Sequence, residues 1–101
     1  MKRFLVKIVS WSIEKNEKLK SNFDRQISFE DVFLAMQGDN FSYIDNHYNP
    51  EKYFNQKILF IEIRNYIYIV PFIENDEEIF LKTVIPSRKY TKIFLKDKAQ
   101  K

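Results

Sequence analysis

The chain has 101 residues, of which 45% are hydrophobic and 17% aromatic, enough for one compact core and too little for two. Seventeen basic and fourteen acidic residues give a net charge of +3, a mild excess that does not by itself indicate a nucleic-acid partner. The absence of cysteine excludes disulfides and thiolate metal sites and is compatible with a reducing compartment. We therefore expect one cytoplasmic domain over residues 1–101, with no segment long enough to span a membrane.

The first part of the chain predicts one strand followed by two helices. Residues 3–8 alternate in polarity as strands do, and Ser12 can cap a short, weakly amphipathic helix. A second helix is better specified, because Ser28 and Asp31 have the spacing of a capping box. Gly38, the only glycine, is placed for a left-handed residue at its C-terminus. The apolar face of this helix comprises Phe29, Val32, Phe33 and Met36.

The second part predicts a strand meander and a terminal helix. After a short strand at Phe41 to Ile44, residues 57–85 contain three runs typical of strands, with a tight turn near residues 64–65. The first of these runs alternates apolar and polar residues, so we expect it to be half solvated. Pro71 cannot donate a ladder hydrogen bond and indicates an edge or a bulge. Pro86 and Ser87 end the last strand and begin a helix. Its apolar stripe comprises Tyr90, Ile93 and Phe94.

The predicted order of elements is strand, helix, helix, three to four further strands and a C-terminal helix. This order predicts an α+β fold in which helices pack on a curved antiparallel sheet. No repeat, linker or low-complexity segment divides the chain, which supports a single domain.

Positive charge is concentrated at one end of the chain. Residues 82–101 carry seven cations and one anion, whereas the first 81 residues carry ten cations and thirteen anions. Arg88, Lys92 and Lys96 have the i, i+4, i+8 spacing of one helix face, with Lys89 beside them and Lys82 on the preceding strand. Like charges at that spacing repel unless a polyanion or an acidic partner offsets them. The two interpretations are a solvated helix face whose cations complement the helix dipole and a surface that binds phosphate or acidic groups.

His47 is the only histidine and lies in a polar segment. It is either an ordinary exposed residue or an acid–base group acting on a phosphate ester. The chain has no glycine-rich phosphate loop, serine elbow or zinc-protease motif. The acidic residues at 74–78 are more typical of a solubilising turn than of a metal site. We therefore predict neither a metal nor a cofactor.

Four segments occur in an order and spacing that resemble the BrnT-type toxins of bacterial type II toxin-antitoxin systems. They are "WSIEKN" (Trp11, Lys15 and Asn16), "ISFEDV" at 27–32, the segment around His47, and "KTVIPSRKYTKIFL" at 82–95. The resemblance covers nearly the whole chain and implies a RelE-like fold.

The family resemblance implies a function. It implies a metal-independent ribonuclease that cleaves mRNA, inhibits translation and is neutralised by a cognate antitoxin, often of the ribbon-helix-helix type. Contact with operator DNA would occur only through the toxin–antitoxin complex. Such chemistry needs an aligned 2′-hydroxyl, cations for the developing charge and a proton acceptor or donor.

The resemblance also suggests roles for individual residues. Arg88 is the first candidate for stabilising transition-state charge, because its planar guanidinium matches phosphate. His47 is the candidate acid or base, Glu51 is its weaker rival, and Lys57 is a plausible helper. The expected RNA-binding residues are Lys15, Trp11, Lys82, Lys89, Lys92 and Lys96, although Trp11 could equally belong to the core.

A second hypothesis is a toxin-fold module that binds an acidic protein or RNA without cleaving it. Ser12 stands where the family commonly has an aspartate, and Gln56 and Lys57 stand where it often has a glutamate–arginine pair. A basic helix face and a single histidine are compatible with either hypothesis.

Overall fold

The computed structural model describes residues 7–22, 27–46 and 56–95. In chain order these residues form β1 (Ile8–Trp11), α1 (Ile13–Lys20), α2 (Phe29–Gln37), β2 (Ser42–Asn46), β3 (Gln56–Ile63), β4 (Tyr66–Glu74), β5 (Glu78–Leu81), β6 (Ile85–Pro86) and α3 (Arg88–Phe94). Residues 3–6 of the predicted strand at 3–8 lie outside the described residues, and β1 begins at the last predicted position. None of the helices in the described ranges is long and apolar enough to cross a membrane.

The strands form one mixed sheet in the order β1-β5-β4-β3-β2, with β6 paired to β4. Strands β2 to β5 pair antiparallel in sequence, whereas β1 runs parallel to β5, with Trp11 opposite Leu81. The predicted α+β class is confirmed, and the prediction of a wholly antiparallel sheet is wrong. The direction of β1 depends on a pairing between residues 70 positions apart, with two helices and three strands between them, and local residue patterns do not encode it.

Side chains at the starts of α1 and α2 hold these helices as the sequence predicts. The Ser12 hydroxyl accepts a hydrogen bond from the Lys15 amide, and Ser28 and Asp31 form a reciprocal capping box. The C-terminus of α2 differs from the prediction. Gly38 has a φ of −97° and is extended, and its amide donates to the Ala35 carbonyl at 3.2 Å, so α2 ends without a left-handed residue.

The predicted turn is present; at Pro71, where the sequence predicts an edge or a bulge in the strand, the pairing is interrupted but the extra residue lies in the facing segment 82–84. Arg64 and Asn65 have φ values of 53° and 65° and join β3 to β4 in a two-residue turn, whose positive φ angles suit the twist of a hairpin. Residues 72–74 of β4 pair with β5 and residues 68–69 pair with β6, in registers that differ by one residue. Pro71 lies at this interruption, where its carbonyl accepts from the Lys82 amide at 2.8 Å.

Both faces of the sheet carry packed apolar residues. The first face, which includes Leu59 and Val70, packs against α2 and Leu19 of α1. The second face, which includes Phe60 and Ile67, packs against α3 and Leu95. Burial of these two layers provides the main favourable contribution to folding.

The burial of β3 and of α3 differs from the prediction. Strand β3 is not half solvated, because α3 covers Phe60 and because Glu62 is buried beside Phe41, whose amide approaches the Glu62 carboxylate at 3.5 Å. Ile93 is 53% exposed, whereas Leu95 is only 4% exposed. The buried face of α3 is therefore rotated away from Ile93 and includes the residue that follows the helix.

Candidate functional site

The start of α3 is fixed to the start of β4 by hydrogen bonds. The Ser87 hydroxyl caps the helix by accepting from the Tyr90 amide at 3.1 Å, and the Ser87 amide donates to the Ile67 carbonyl at 3.0 Å. The Thr91 hydroxyl accepts from the Ile67 amide at 2.8 Å and donates to the Ser87 carbonyl at 2.6 Å. The backbone of Arg88, the first residue of α3, is therefore held at a rigid junction between sheet and helix.

Three cations lie on the exposed side of α3. Arg88, Lys89 and Lys92 are all exposed, and among the described residues no carboxylate lies within 4 Å of any of them. Arg88 and Lys89 occupy the first turn, where positive charge opposes the helix dipole by about 0.3–1 kcal/mol each. Only Lys92, in the last turn, complements the dipole. Complementing the dipole therefore does not account for the charge of this helix. We call Arg88, Lys89 and Lys92 the basic row.

Trp11, Lys15 and Lys82 form a second group near the ends of β1 and β5. The Lys15 ammonium donates to the Lys82 carbonyl at 3.0 Å, and Trp11 pairs with Leu81 in the ladder. The Trp11 indole stacks on Phe29, with centroids 5.7 Å apart and an interplanar angle of 15°, and packs against the core of the first face. This packing supports the core interpretation of Trp11.

Lys57 lies apart from Arg88. The Lys57 ammonium is 3.4 Å from a Glu74 oxygen, and the other Glu74 oxygen binds Lys7 at 2.6 Å. Lys57 pairs with Phe72 and shares the first face with it, five residues along β4 from the Ile67 junction and therefore roughly 17 Å away. The structure does not bring Lys57 and Arg88 to one phosphate. The other predicted residues His47, Glu51 and Lys96 lie outside the described residues.

Asn16 has a role that the sequence does not reveal. Its buried side chain accepts from the Phe29 amide at 2.8 Å and donates to the Glu30 carboxylate at 2.8 Å, which joins α1 to the first turn of α2. The hydrogen bond from Asn16, with a backbone hydrogen bond and the nearby Lys20 charge, holds the pKa of Glu30 below its ordinary value of 4.5. The sequence names Asn16 only as part of the segment "WSIEKN" and predicts no burial for it, because the rest of α1 is largely polar and exposed.

An aromatic patch lies beside the basic row. It comprises Phe41, Tyr43, Tyr90 and Phe94; the last three contact Phe60, and Phe41 contacts Phe94. The sequence predicts a short strand at the first two of these positions but no role for their rings. Among the described residues there is no group of three or more acidic or histidine side chains that could hold a metal ion.

A scan against protein-family models, a search of curated proteins and a search of solved structures each gave no significant match to this chain.

Proposed function

We propose that this protein is a toxin of a type II toxin-antitoxin system, related to the BrnT type and RelE-like in fold, that cleaves mRNA without a metal and inhibits translation in the cytoplasm. The order of a strand, two helices, a meander and a terminal helix supports the proposed class. The basic row carries the proposal, because three exposed cations without a carboxylate partner in the described chain form a surface suited to phosphate.

The proposed reaction is an internal transesterification of RNA. A base removes the proton of a 2′-hydroxyl, and the resulting oxygen forms a bond to the neighbouring phosphorus. The bond from phosphorus to the 5′-oxygen breaks, and that oxygen takes a proton from an acid, which leaves a cyclic phosphate and a 5′-hydroxyl. Negative charge accumulates on the phosphate oxygens in the transition state, so a positioned cation accelerates the step.

Arg88 is the proposed source of that charge stabilisation. Its guanidinium offers paired donors to two phosphate oxygens, and its backbone is held by the Ser87 cap and the Ile67 hydrogen bond. His47, or Glu51 in its place, is the proposed acid or base. Lys57 is paired with Glu74 and lies roughly 17 Å along β4 from the Ile67 junction, so the proposal gives it no contact with the same phosphate.

The proposed partner is a cognate antitoxin, expected to be of ribbon-helix-helix type, whose acidic groups neutralise the basic row. Covering that row would both block RNA and relieve the repulsion among Arg88, Lys89 and Lys92. Operator DNA would be bound through the antitoxin in the complex.

The test combines growth with cleavage. Expression in bacteria should arrest growth, and co-expression of the small gene beside the coding sequence should restore it. Arg88→Ala should lower the rate of RNA cleavage by roughly 100- to 1,000-fold, as loss of one transition-state donor does, while Arg88→Lys should recover part of it because the charge is kept.

The matched control is Lys18→Ala, which removes an exposed cation from α1 on the other side of the sheet and should leave cleavage unchanged. Cleavage should persist in EDTA. Normal growth with the wild-type protein and equal behaviour of Arg88→Ala would contradict the ribonuclease proposal.

One observation favours the second candidate, a toxin-fold module that binds RNA or an acidic protein without cleaving it. The structure describes two of the proposed catalytic residues, Arg88 and Lys57. Arg88 lies on α3, which covers the second face of the sheet, and Lys57 lies on the first face, so the two cannot act on one phosphate. Binding of RNA by the basic row without cleavage, in wild-type protein, would support this module.

A further inference from the structure

The aromatic patch continues from the buried second face of the sheet to its edge. Phe60 forms its floor and is only 7% exposed, with the Phe94 ring 5.6 Å above it in an edge-on arrangement. Phe94 also contacts Phe41, at 4.9 Å between centroids, and Tyr43, at 6.0 Å. These ring–ring contacts hold the aromatic side chains of the patch in place.

The outer part of this patch is open to solvent. Tyr43 is 47% exposed and Phe41 is 37% exposed, and both lie on or beside β2, the edge strand of the described sheet. Side chains opposite each other in an antiparallel pair share a face, so Tyr43 stands beside Phe60 on the second face. Two adjacent exposed rings on a rigid support form a surface on which another planar group can stack.

Positive charge borders the patch on the side of α3. The Lys89 ammonium lies 5.4 Å from the centre of the Tyr90 ring, and Arg88 and Lys92 occupy the next row of the same short helix. On β2, Asp45 follows Tyr43 on the same face and brings negative charge to the strand. A polyanion on this surface would therefore keep its phosphates over α3 and away from Asp45.

We propose that Tyr43 and Phe41 form a stacking site for the bases of single-stranded RNA whose phosphates lie over the basic row. Aromatic rings stack on the faces of unpaired bases, and cations beside them neutralise the backbone, the combination typical of single-strand binding surfaces. The inference rests on the proposed function for its ligand class, RNA, and adds how the substrate is held. Double-stranded RNA is excluded from the site, because its bases already stack on one another.

The observations favour RNA over an acidic protein segment. An acidic amphipathic segment would need a hydrophobic groove for its apolar side chains, whereas Tyr43 and Phe41 present flat rings on a sheet edge. Lys89 lies against the Tyr90 ring of the patch, and Arg88 and Lys92 follow on the same short helix, where they can neutralise a backbone that runs alongside stacked bases.

The test measures binding separately from cleavage. The probe is a short oligouridine with 2′-O-methyl sugars, which cannot undergo transesterification, and binding is followed by fluorescence anisotropy. Tyr43→Thr removes the ring but keeps a residue suited to a strand, and we expect it to weaken binding at least roughly five-fold. Tyr43→Phe keeps the ring and should bind as tightly as the wild-type protein.

The matched control is Leu34→Ala, which removes an exposed apolar side chain from α2 on the other face and should not change binding. The melting temperature of each variant checks that it is folded. The same oligonucleotide annealed to its complement should bind more weakly than the single strand.

Equal binding by Tyr43→Thr and wild-type protein, no binding by the wild-type protein, or equal binding of single strand and duplex would each overturn the stacking site. Tyr43-dependent binding of an acidic peptide in place of RNA would overturn it in favour of a protein partner. Tyr43-dependent RNA binding without cleavage would support the site while contradicting the ribonuclease. Cleavage that depends on Arg88 but is unaffected by Tyr43→Thr, with binding also unaffected, would leave the ribonuclease standing and remove the site.

Discussion

At the scale of single residues, Asn16 shows how one buried amide can join two helices. Its oxygen satisfies the Phe29 amide in the first turn of α2, and its amide group binds the Glu30 carboxylate. The hydrogen bond to Phe29 is buried, so water cannot replace the asparagine oxygen without a local rearrangement. Asn16 therefore fixes the position of α1 more strongly than the weak amphipathicity of that helix does.

Asn16→Ala should lower the free energy of unfolding by about 1–3 kcal/mol, because it leaves the Phe29 amide buried without its acceptor. Urea denaturation of wild-type and variant proteins measures the difference. Lys18→Ala, an exposed change on the same helix, should stay within about 0.5 kcal/mol of the wild-type protein. Equal losses in the two variants would contradict the role given to Asn16.

The Glu30 carboxylate makes stability depend on pH in a defined direction. Its pKa is lowered in the folded state, chiefly by the hydrogen bond from Asn16, so folding favours the ionised form. The resulting stabilisation is present above the unfolded-state pKa and is lost as the pH falls through the lower folded-state pKa. The difference in unfolding free energy between wild-type protein and Glu30→Gln should therefore shrink as the pH is lowered below about 4.5.

The Asn16→Ala background provides the control for this pH effect. Without the hydrogen bond that is the largest cause of the lowered pKa, the effect of Glu30→Gln on the free energy of unfolding should depend less on pH. Urea denaturation at neutral and acidic pH, in both backgrounds, measures it. The same pH dependence in both backgrounds would show that Asn16 is not the main cause.

At the scale of elements, α3 is held by the side chains on its inner face and by the residue after it. Phe94 and Tyr90 pack over Phe60, and Leu95 joins the same cluster on the second face. Ile93 belongs to the predicted apolar stripe but points outward. The seven residues of α3 could not remain helical alone, so this packing maintains the helix that carries the basic row.

Leu95→Ala should lower the free energy of unfolding by about 2–5 kcal/mol, because it removes a buried side chain and leaves a cavity beside Phe60 and Ile67. Ile93→Ala, an apolar truncation two residues earlier at an exposed position, should change it by less than about 0.5 kcal/mol. Thermal unfolding of both variants compares them directly. A larger loss in Ile93→Ala would mean that α3 packs through the stripe that the sequence predicts.

Element boundaries with a local cause were predictable, and those with a distant cause were not. The Ser12, Ser28 and Ser87 caps are short-range hydrogen bonds between a side chain and an amide three residues on. Gly38 shows the limit of this reasoning, because the only glycine near a helix end is extended there. The burial of the second face of β3 also escaped prediction, since the covering helix lies some 25 residues later in the chain.

At the scale of the whole molecule, the cations concentrated near the end of the sequence form part of the protein surface. The cations that follow residue 81 include the basic row, which α3 places on its exposed side. If the basic row contacts RNA phosphates, the logarithm of the binding constant should fall linearly with the logarithm of the salt concentration. The slope should be near −0.7 for each phosphate neutralised on a single strand.

Lys92→Gln should therefore make that salt slope shallower by about 0.7, because one counterion-releasing contact is lost. Lys18→Gln, which removes an exposed cation from α1, should leave the slope unchanged. Anisotropy titrations of the methylated oligouridine across a range of salt concentrations measure both. Equal slopes for Lys92→Gln and wild-type protein would place the phosphate contacts elsewhere.

The sequence by itself determined the helix caps, the hairpin turn at Arg64 and Asn65, the α+β class and the concentration of cations after residue 81, because each depends on residues close together in the chain. The tertiary structure alone decided the parallel pairing of β1, the separation of Lys57 from Arg88 and the meeting of Tyr43 with Phe94. These are contacts between distant segments, and they follow from how the two faces of the sheet are covered. Residue patterns predict which side chains are buried, but not which distant segment packs against them.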